Sequence, residues 1–134
     1  MRPGEIFLAQ FPFGDVAGMK LRPVLLLTGQ VGSVPEVLVA YISSIMPTQL
    51  LPSDLVIDPS KPEFRPTHLK TMSALRLHKL ATLHCSSLAR HLGVIDSATS
   101  TAVANKLRRK NALHYFSFFS GLAATGLRSA ISVL

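Results

Sequence analysis

Arg22-Pro23-Val24-Leu25-Leu26-Leu27-Thr28 and Val37-Leu38-Val39-Ala40-Tyr41-Ile42-Ser43 are the two stretches on which the fold turns. The first predicts a strand from Val24 to Thr28 with Arg22-Pro23 at its mouth. Pro23 suits that place, because the first residue of a strand can forgo its amide hydrogen bond. The second is apolar at almost every position, as expected of a strand buried on both faces.

Working outward, Glu5 to Phe11 reads as a short strand stopped by Pro12 and a Phe13-Gly14-Asp15 turn, and Val16 to Leu21 as a loop. Downstream, a loop with Pro47 and Pro52 leads into a strand from Asp54 to Asp58. Three prolines punctuate Pro59 to Pro66, which predicts loop. Ser73 to Leu77 and Leu92 to Ile95 follow as strands. Asp96 is a good helix N-cap, and Ser97 to about Leu113 has helical composition. Lys106, Arg108, Arg109 and Lys110 would complement the negative end of that helix. The fold class expected is α+β, mainly β: a small barrel of short antiparallel strands closed by a C-terminal helix. The order of elements does not fix the topology.

A chain of 134 residues with 48% apolar composition suits one domain with a single core. We place it at residues 1–113. Residues 112–134 carry one charge, Arg128, and include Tyr115-Phe116-Ser117-Phe118-Phe119. Ser117, Ser120, Gly121, Thr125 and Gly126 interrupt any continuous membrane span, so no membrane partner is expected. The segment 114–134 reads as an apolar tail of unknown role, either a packed helix or disordered. The lone Cys85 excludes an intrachain disulfide and suits a reducing compartment. With no secretory pattern at Met1 to Glu5, a cytoplasmic location is expected.

The net charge of +7 is lopsided. Residues 1–60 hold three Lys or Arg against five Asp or Glu, a net of −2; residues 61–134 hold eleven against two, a net of +9, with all five histidines. Such a chain either presents a basic face to a polyanion or an acidic protein, or carries a scattered excess for solubility.

Four blocks in order then carry a resemblance. They are Pro3-Gly4-Glu5-Ile6-Phe7-Leu8-Ala9 with Phe11 to Asp15; Lys20-Leu21-Arg22-Pro23-Val24 with Leu25 to Leu27; Ala40 to Ser44 joined to Leu51 to Asp58; and Leu75-Arg76-Leu77-His78-Lys79 with Leu80 to Leu83. From about Arg2 to Leu113 the chain resembles the MazF/PemK toxins. The resemblance implies an SH3-like barrel of the MazF/PemK/CcdB kind, acting as a homodimer. It also implies sequence-selective cleavage of single-stranded RNA without metal or other cofactor, and inhibition by a cognate acidic antitoxin. Cleavage by 2′-hydroxyl attack would leave 2′,3′-cyclic phosphate and 5′-hydroxyl ends.

On that resemblance Arg22 matches the catalytic arginine. A guanidinium presents a planar fork of donors to phosphate oxygens and holds its charge at any working pH. The plainer reading is a structural arginine paired with Glu5 or Asp15. Ser43 matches a position usually Thr or Ser, whose hydroxyl could bond a phosphate oxygen or the attacking hydroxyl. Alternatively it bonds nearby backbone at a strand end. Arg76 resembles an RNA-contacting arginine, and Lys20, Ser44 and Lys79 join it as expected RNA-binding residues. Only one of Ser43 and Ser44 should reach RNA, because neighbours on a strand face opposite ways. His78 stands where the family commonly carries aspartate, as does His84. His78 shares a strand face with Arg76 and is expected to titrate in the site as acid or base, unless the exchange has removed a needed acid.

Other constellations fail. The histidines and Cys85 lack paired metal-ligand spacing, and no Gly-rich phosphate loop precedes a helix. Phe7, Phe11 and Phe13 alternate as core residues of a strand would. A catalytically decayed toxin, or a binding module that meets antitoxin, RNA or a topoisomerase, remains the alternative to a nuclease.

Overall fold

The computed structural model describes residues 1–10 and 20–108. Six strands precede one helix: β1 (Glu5–Gln10), β2 (Leu21–Leu26), β3 (Glu36–Ser43), β4 (Asp54–Ile57), β5 (Ser73–His84), β6 (Leu88–Val94) and α1 (Ser97–Arg108). They form one antiparallel sheet in the order β4-β5-β3-β2-β1-β6.

The centre of the sheet is the apolar pair quoted first. On β3, Leu38, Ala40 and Ile42 enter one cluster with Leu25, Leu27, Leu75, Leu77 and Leu80, and α1 seals it with Val103 and Leu107. Val37 and Val39 turn the other way, to Val24, Leu26, Ala81 and Leu83. Both faces of β3 are thus buried as its sequence predicts. Each fully buried Leu, Ile or Val contributes about 1.5–3 kcal/mol. Asp96 caps α1 by accepting a hydrogen bond from the Thr99 amide at 2.8 Å.

Several elements depart from expectation. Pro23 lies inside β2, opposite Leu8, rather than at the mouth of a strand. The β3 ladder begins only at Val24, so Pro23 sits where pairing is one-sided and a missing amide is tolerated. β5 is far longer than Ser73 to Leu77. Its register with β3 jumps from Ala40↔Leu80 to Tyr41↔Arg76, a bulge at residues 77–79 that bends the strand and lets both ends pair. β6 begins at Leu88, and the stretch read as loop holds a 3-10 turn, Pro62–Thr67. A 3-10 turn accepts proline at its first positions, where the amide would be unpaired anyway.

Strand pairing does not close the sheet into the expected barrel, because β4 and β6 are its two edges. The Pro62–Thr67 turn lies against β6 instead. A Cβ on Gly93 would collide with the Pro66 carbonyl oxygen, and His68 Nδ1 sits 2.8 Å from the Leu92 carbonyl. The Phe13-Gly14-Asp15 turn, Phe11, Arg109, Lys110, the end of the expected helix and the apolar tail lie outside the described residues. Among the described residues no helix is long and apolar enough to cross a membrane.

Candidate active site

The strand registers run one row of residues through the whole sheet: Asp54, Arg76, Tyr41, Val24, Phe7 and His91. Two residues along each strand, on the same face, lies a second row containing Ala74, Ser43, Arg22 and Ala9. Continuing the Val24↔Tyr41 register by two residues sets Arg22 opposite Ser43. Arg22, Ser43, Tyr41, Arg76 and Asp54 therefore share one face at one end of the sheet.

Arg22 is half-buried on β2, with exposed Lys20 just before the strand. Among the described residues Arg22 makes no ion pair. Glu5 is engaged elsewhere, 2.8 Å from His91 Nε2, and Asp15 lies outside the described residues. Arg76 is held firmly: its Nε meets Asp54 Oδ1 at 3.0 Å and its Nη2 meets Oδ2 at 3.4 Å. The Asp54 side chain is 0% exposed, and its Oδ2 also accepts the Leu51 amide at 2.9 Å.

Ser43 follows the plainer of its two readings. Its hydroxyl donates to the Ile45 carbonyl at 2.9 Å and accepts from the Ile45 amide at 3.2 Å, closing the turn after β3. Ser43 is buried at the last position of β3, and Ser44, just past the strand, is exposed.

The β5 bulge carries His78 and Lys79. His78 Nδ1 lies 2.7 Å from the Ser53 hydroxyl and 3.9 Å from Asp54 Oδ1. Burial pushes the imidazole below its ordinary pKa, and the Arg76 and Lys79 cations reinforce this against the opposing pull of Asp54. The shift favours the uncharged ring near neutral pH. Lys79 Nζ sits 5.7 Å from the centre of the Tyr41 ring, within cation–π range. His84 is not in this cluster. It is exposed, and its Nδ1 accepts the Ser86 amide at 3.1 Å, capping the Cys85–Ser87 turn as a carboxylate would.

The structure thus gathers Arg22, Ser43, Arg76, His78 and Lys79 at one end of the sheet. It adds three residues that sequence reading passed over: Ser53, Asp54 and Tyr41. Asp54 left a faint signal, an acid at the head of an apolar strand, where an unpaired charge could not be buried. Among the described residues no cluster of three or more His, Cys, Asp or Glu could hold a metal ion.

A fold of this kind does not by itself decide function; here the family is shown by sequence. Residues 2–110 match the family model for PemK-like, MazF-like toxins of type II toxin–antitoxin systems. The chain belongs to this toxin family. Among solved structures it is similar to the Mycobacterium tuberculosis toxin MazF-mt6, at 24% identity and a TM-score of 0.62, covering 82% of this chain and 96% of that one. A mycobacterial endoribonuclease in complex with its cognate antitoxin is similar at 18% identity and a TM-score of 0.58, covering 85% of this chain and 95% of that one. A further mycobacterial endoribonuclease matches at 18% identity and a TM-score of 0.58, covering 92% and 93% of the two chains. The curated proteins contain no match to the sequence.

Proposed function

We propose that this toxin is a metal-independent endoribonuclease that cuts single-stranded RNA and is silenced by an acidic cognate antitoxin. The observation that carries the reading is Arg22, half-buried on the face of β2 that β3 shares through Val24↔Tyr41 and without an ion-pair partner among the described residues. A site for a phosphate needs such an uncommitted cation; a structural arginine would be spent on a carboxylate, as Arg76 is on Asp54.

RNA supplies its own nucleophile. The 2′-oxygen bonds to the adjacent phosphorus as its proton leaves, the bond from phosphorus to the 5′-oxygen breaks, and that oxygen takes up a proton. The products carry 2′,3′-cyclic phosphate and 5′-hydroxyl ends. Arg22 neutralises the charge that builds on the phosphoryl oxygens, where a preorganised donor is most effective. Ser43 reaches the phosphate only by exchanging its bonds to Ile45. Lys20, Ser44 and Lys79 would hold the flanking backbone, and Arg76 would add only the donors that its pairing with Asp54 leaves over, with His78 beside them. A homodimer would lay RNA across both copies of this face. The antitoxin would compete there, drawn by the +9 charge of residues 61–134.

The test is cleavage of an unstructured RNA by purified protein in chelator, beside Arg22→Ala, with the new ends identified. Cyclic phosphate ends that vanish in the variant are expected. Failure to cut, with antitoxin or RNA binding intact, would overturn the nuclease reading and favour a decayed toxin or a binding module.

A further inference from the structure

Asp54 engages Arg76 along one edge of its guanidinium. Nε donates to Oδ1 at 3.0 Å and Nη2 to Oδ2 at 3.4 Å, and among the described residues the guanidinium has no other hydrogen-bond partner. A guanidinium carries five N–H donors in a rigid plane. The pairing takes the Nε–H and one N–H of Nη2. It leaves the far edge intact, where Nη1 and Nη2 each present one N–H side by side. The Asp54 carboxylate is wholly buried, whereas the Arg76 side chain keeps 18% exposure. The engaged edge is therefore turned into the protein, and the exposure belongs to the rest of the side chain. Asp54 is itself held, since its Oδ2 also accepts the Leu51 amide at 2.9 Å.

The same pairing cancels charge. Arg76 and Asp54 sum to zero, so they attract phosphate less than Lys20, Arg22 and Lys79, which form no salt bridge among the described residues. What survives is direction, a parallel pair of donors in a fixed plane. Such a pair fits two acceptors side by side, and on a base O6 and N7 of guanine are such acceptors; adenine sets an amino donor where guanine has O6. The place suits RNA. Leu75 and Leu77 enter the cluster that α1 seals, so Arg76 between them faces the other way, as Val24 does. Tyr41 pairs with Arg76 on one side and Val24 on the other, which sets Arg76 two strands from β2. That is roughly 10 Å, so Arg22 and Arg76 meet different parts of one strand of RNA.

We propose that Arg76 is a specificity-determining residue that reads the O6/N7 edge of a guanine in single-stranded RNA, and that Asp54 is the positioning residue that fixes its plane. The assignment rests on the nuclease reading for its substrate. Contacts to the backbone orient a strand without reading its sequence. Unpaired bases, splayed out of a stack, expose the edges that a fixed donor pair can read.

The test presents the full chain with a pool of unstructured RNAs in chelator and reads which sequences bind and which are cut. Wild type should select guanine at one position. Adenine there should lower kcat/KM or affinity by about fivefold to a hundredfold, the discrimination typical of one bidentate pair. With wild-type protein, 7-deazaguanine, which lacks the N7 acceptor, should lose several-fold. Arg76→Lys supplies a point charge without the fork, and Asp54→Asn leaves the plane unfixed, so each should lower the guanine-to-adenine ratio by about threefold or more. Because the ratio is taken within one variant, a loss of folded protein does not move it. The double variant should lower it no further than Arg76→Lys alone. Overturning results are equal use of guanine and 7-deazaguanine, preference for another base, or an unchanged ratio in Arg76→Lys. A loss uniform over all sequences, with a shallower salt dependence, would make Arg76 a phosphate contact instead. A preserved ratio in Asp54→Asn overturns the positioning role. Cutting without guanine preference sinks the readout and leaves the nuclease standing, whereas guanine-selective binding without cutting does the reverse.

Discussion

Arg76 and Asp54 face each other across β5 and β4, and the guanidinium meets a carboxylate that is wholly buried, through Nε at 3.0 Å and Nη2 at 3.4 Å. The pair sits at the β5 bulge, so it orders the strand that carries His78 and Lys79. Removing one member leaves a buried charge or an unsatisfied Leu51 amide. Breaking such a pair costs about 3–5 kcal/mol. Arg76 is partly exposed, so Asp54→Ala is expected at the lower end, about 3 kcal/mol, by urea unfolding. The double variant Asp54→Ala/Arg76→Ala should lose clearly less than the sum of the two singles, since the two share one interaction. Additive losses would show that each residue stabilises the fold through other contacts.

This pair also marks how far the sequence could be read. The central strands and the Asp96 cap were legible because apolar runs and capping residues report local physics. β5 was cut short because its alternation, Leu75 and Leu77 inward, breaks at the bulge before Leu80 resumes it. β6 was half missed because Ala89, Arg90 and His91 lie exposed at a sheet edge, where no apolar pattern is required. Arg22, Ser43, Arg76 and His78 are candidates because the family resemblance points to their motifs. Ser53 and Asp54 were passed over, since their meaning depends on a β4–β5 register that joins residues 22 apart in the Asp54–Arg76 pair.

His78 links stability to pH. Its folded pKa is lowered from the ordinary value of 6.5, so the unfolded chain binds the proton more readily. The contribution is complete above about pH 6.5 and is lost as pH falls through the folded value. Unfolding free energy should therefore decline between roughly pH 7 and 5, and His78→Gln should flatten the slope. Asp58 and Asp96, whose pKa values are lowered by hydrogen bonds from Ser60 and Thr99, act only in more acidic solution. A slope identical in wild type and His78→Gln would assign the pH dependence to other groups.

Arg22 should separate activity from stability. With no ion pair among the described residues, Arg22→Ala should change unfolding free energy by about 1 kcal/mol or less, as for ordinary partly exposed positions. The cleavage rate should fall about a hundredfold or more, the usual cost of removing one preorganised charge donor. Arg22→Lys should recover little, because an ammonium lacks the planar fork that matches two phosphate oxygens. Equal rates for Lys and Arg would mean that only a point charge is needed there.

Gly93 tests how the Pro62–Thr67 turn is seated on β6. Its backbone φ is not positive, so glycine is not needed there for conformation. What alanine lacks is room: its Cβ would strike the Pro66 carbonyl oxygen and the Thr67 carbonyl, both backbone atoms that cannot rotate away. The turn must then lift, and the bond between His68 and the Leu92 carbonyl should go with it. Forcing extra volume into packed structure costs about 1–3 kcal/mol, and Gly93→Ala is expected in the upper half of that range because backbone must move. Amide hydrogen exchange would locate the effect. Protection should fall at Phe64 and His68, whose amides close the turn, while the β3 amides keep theirs. Loss of protection spread evenly through β3 would instead mean that the turn and the central sheet open as one unit.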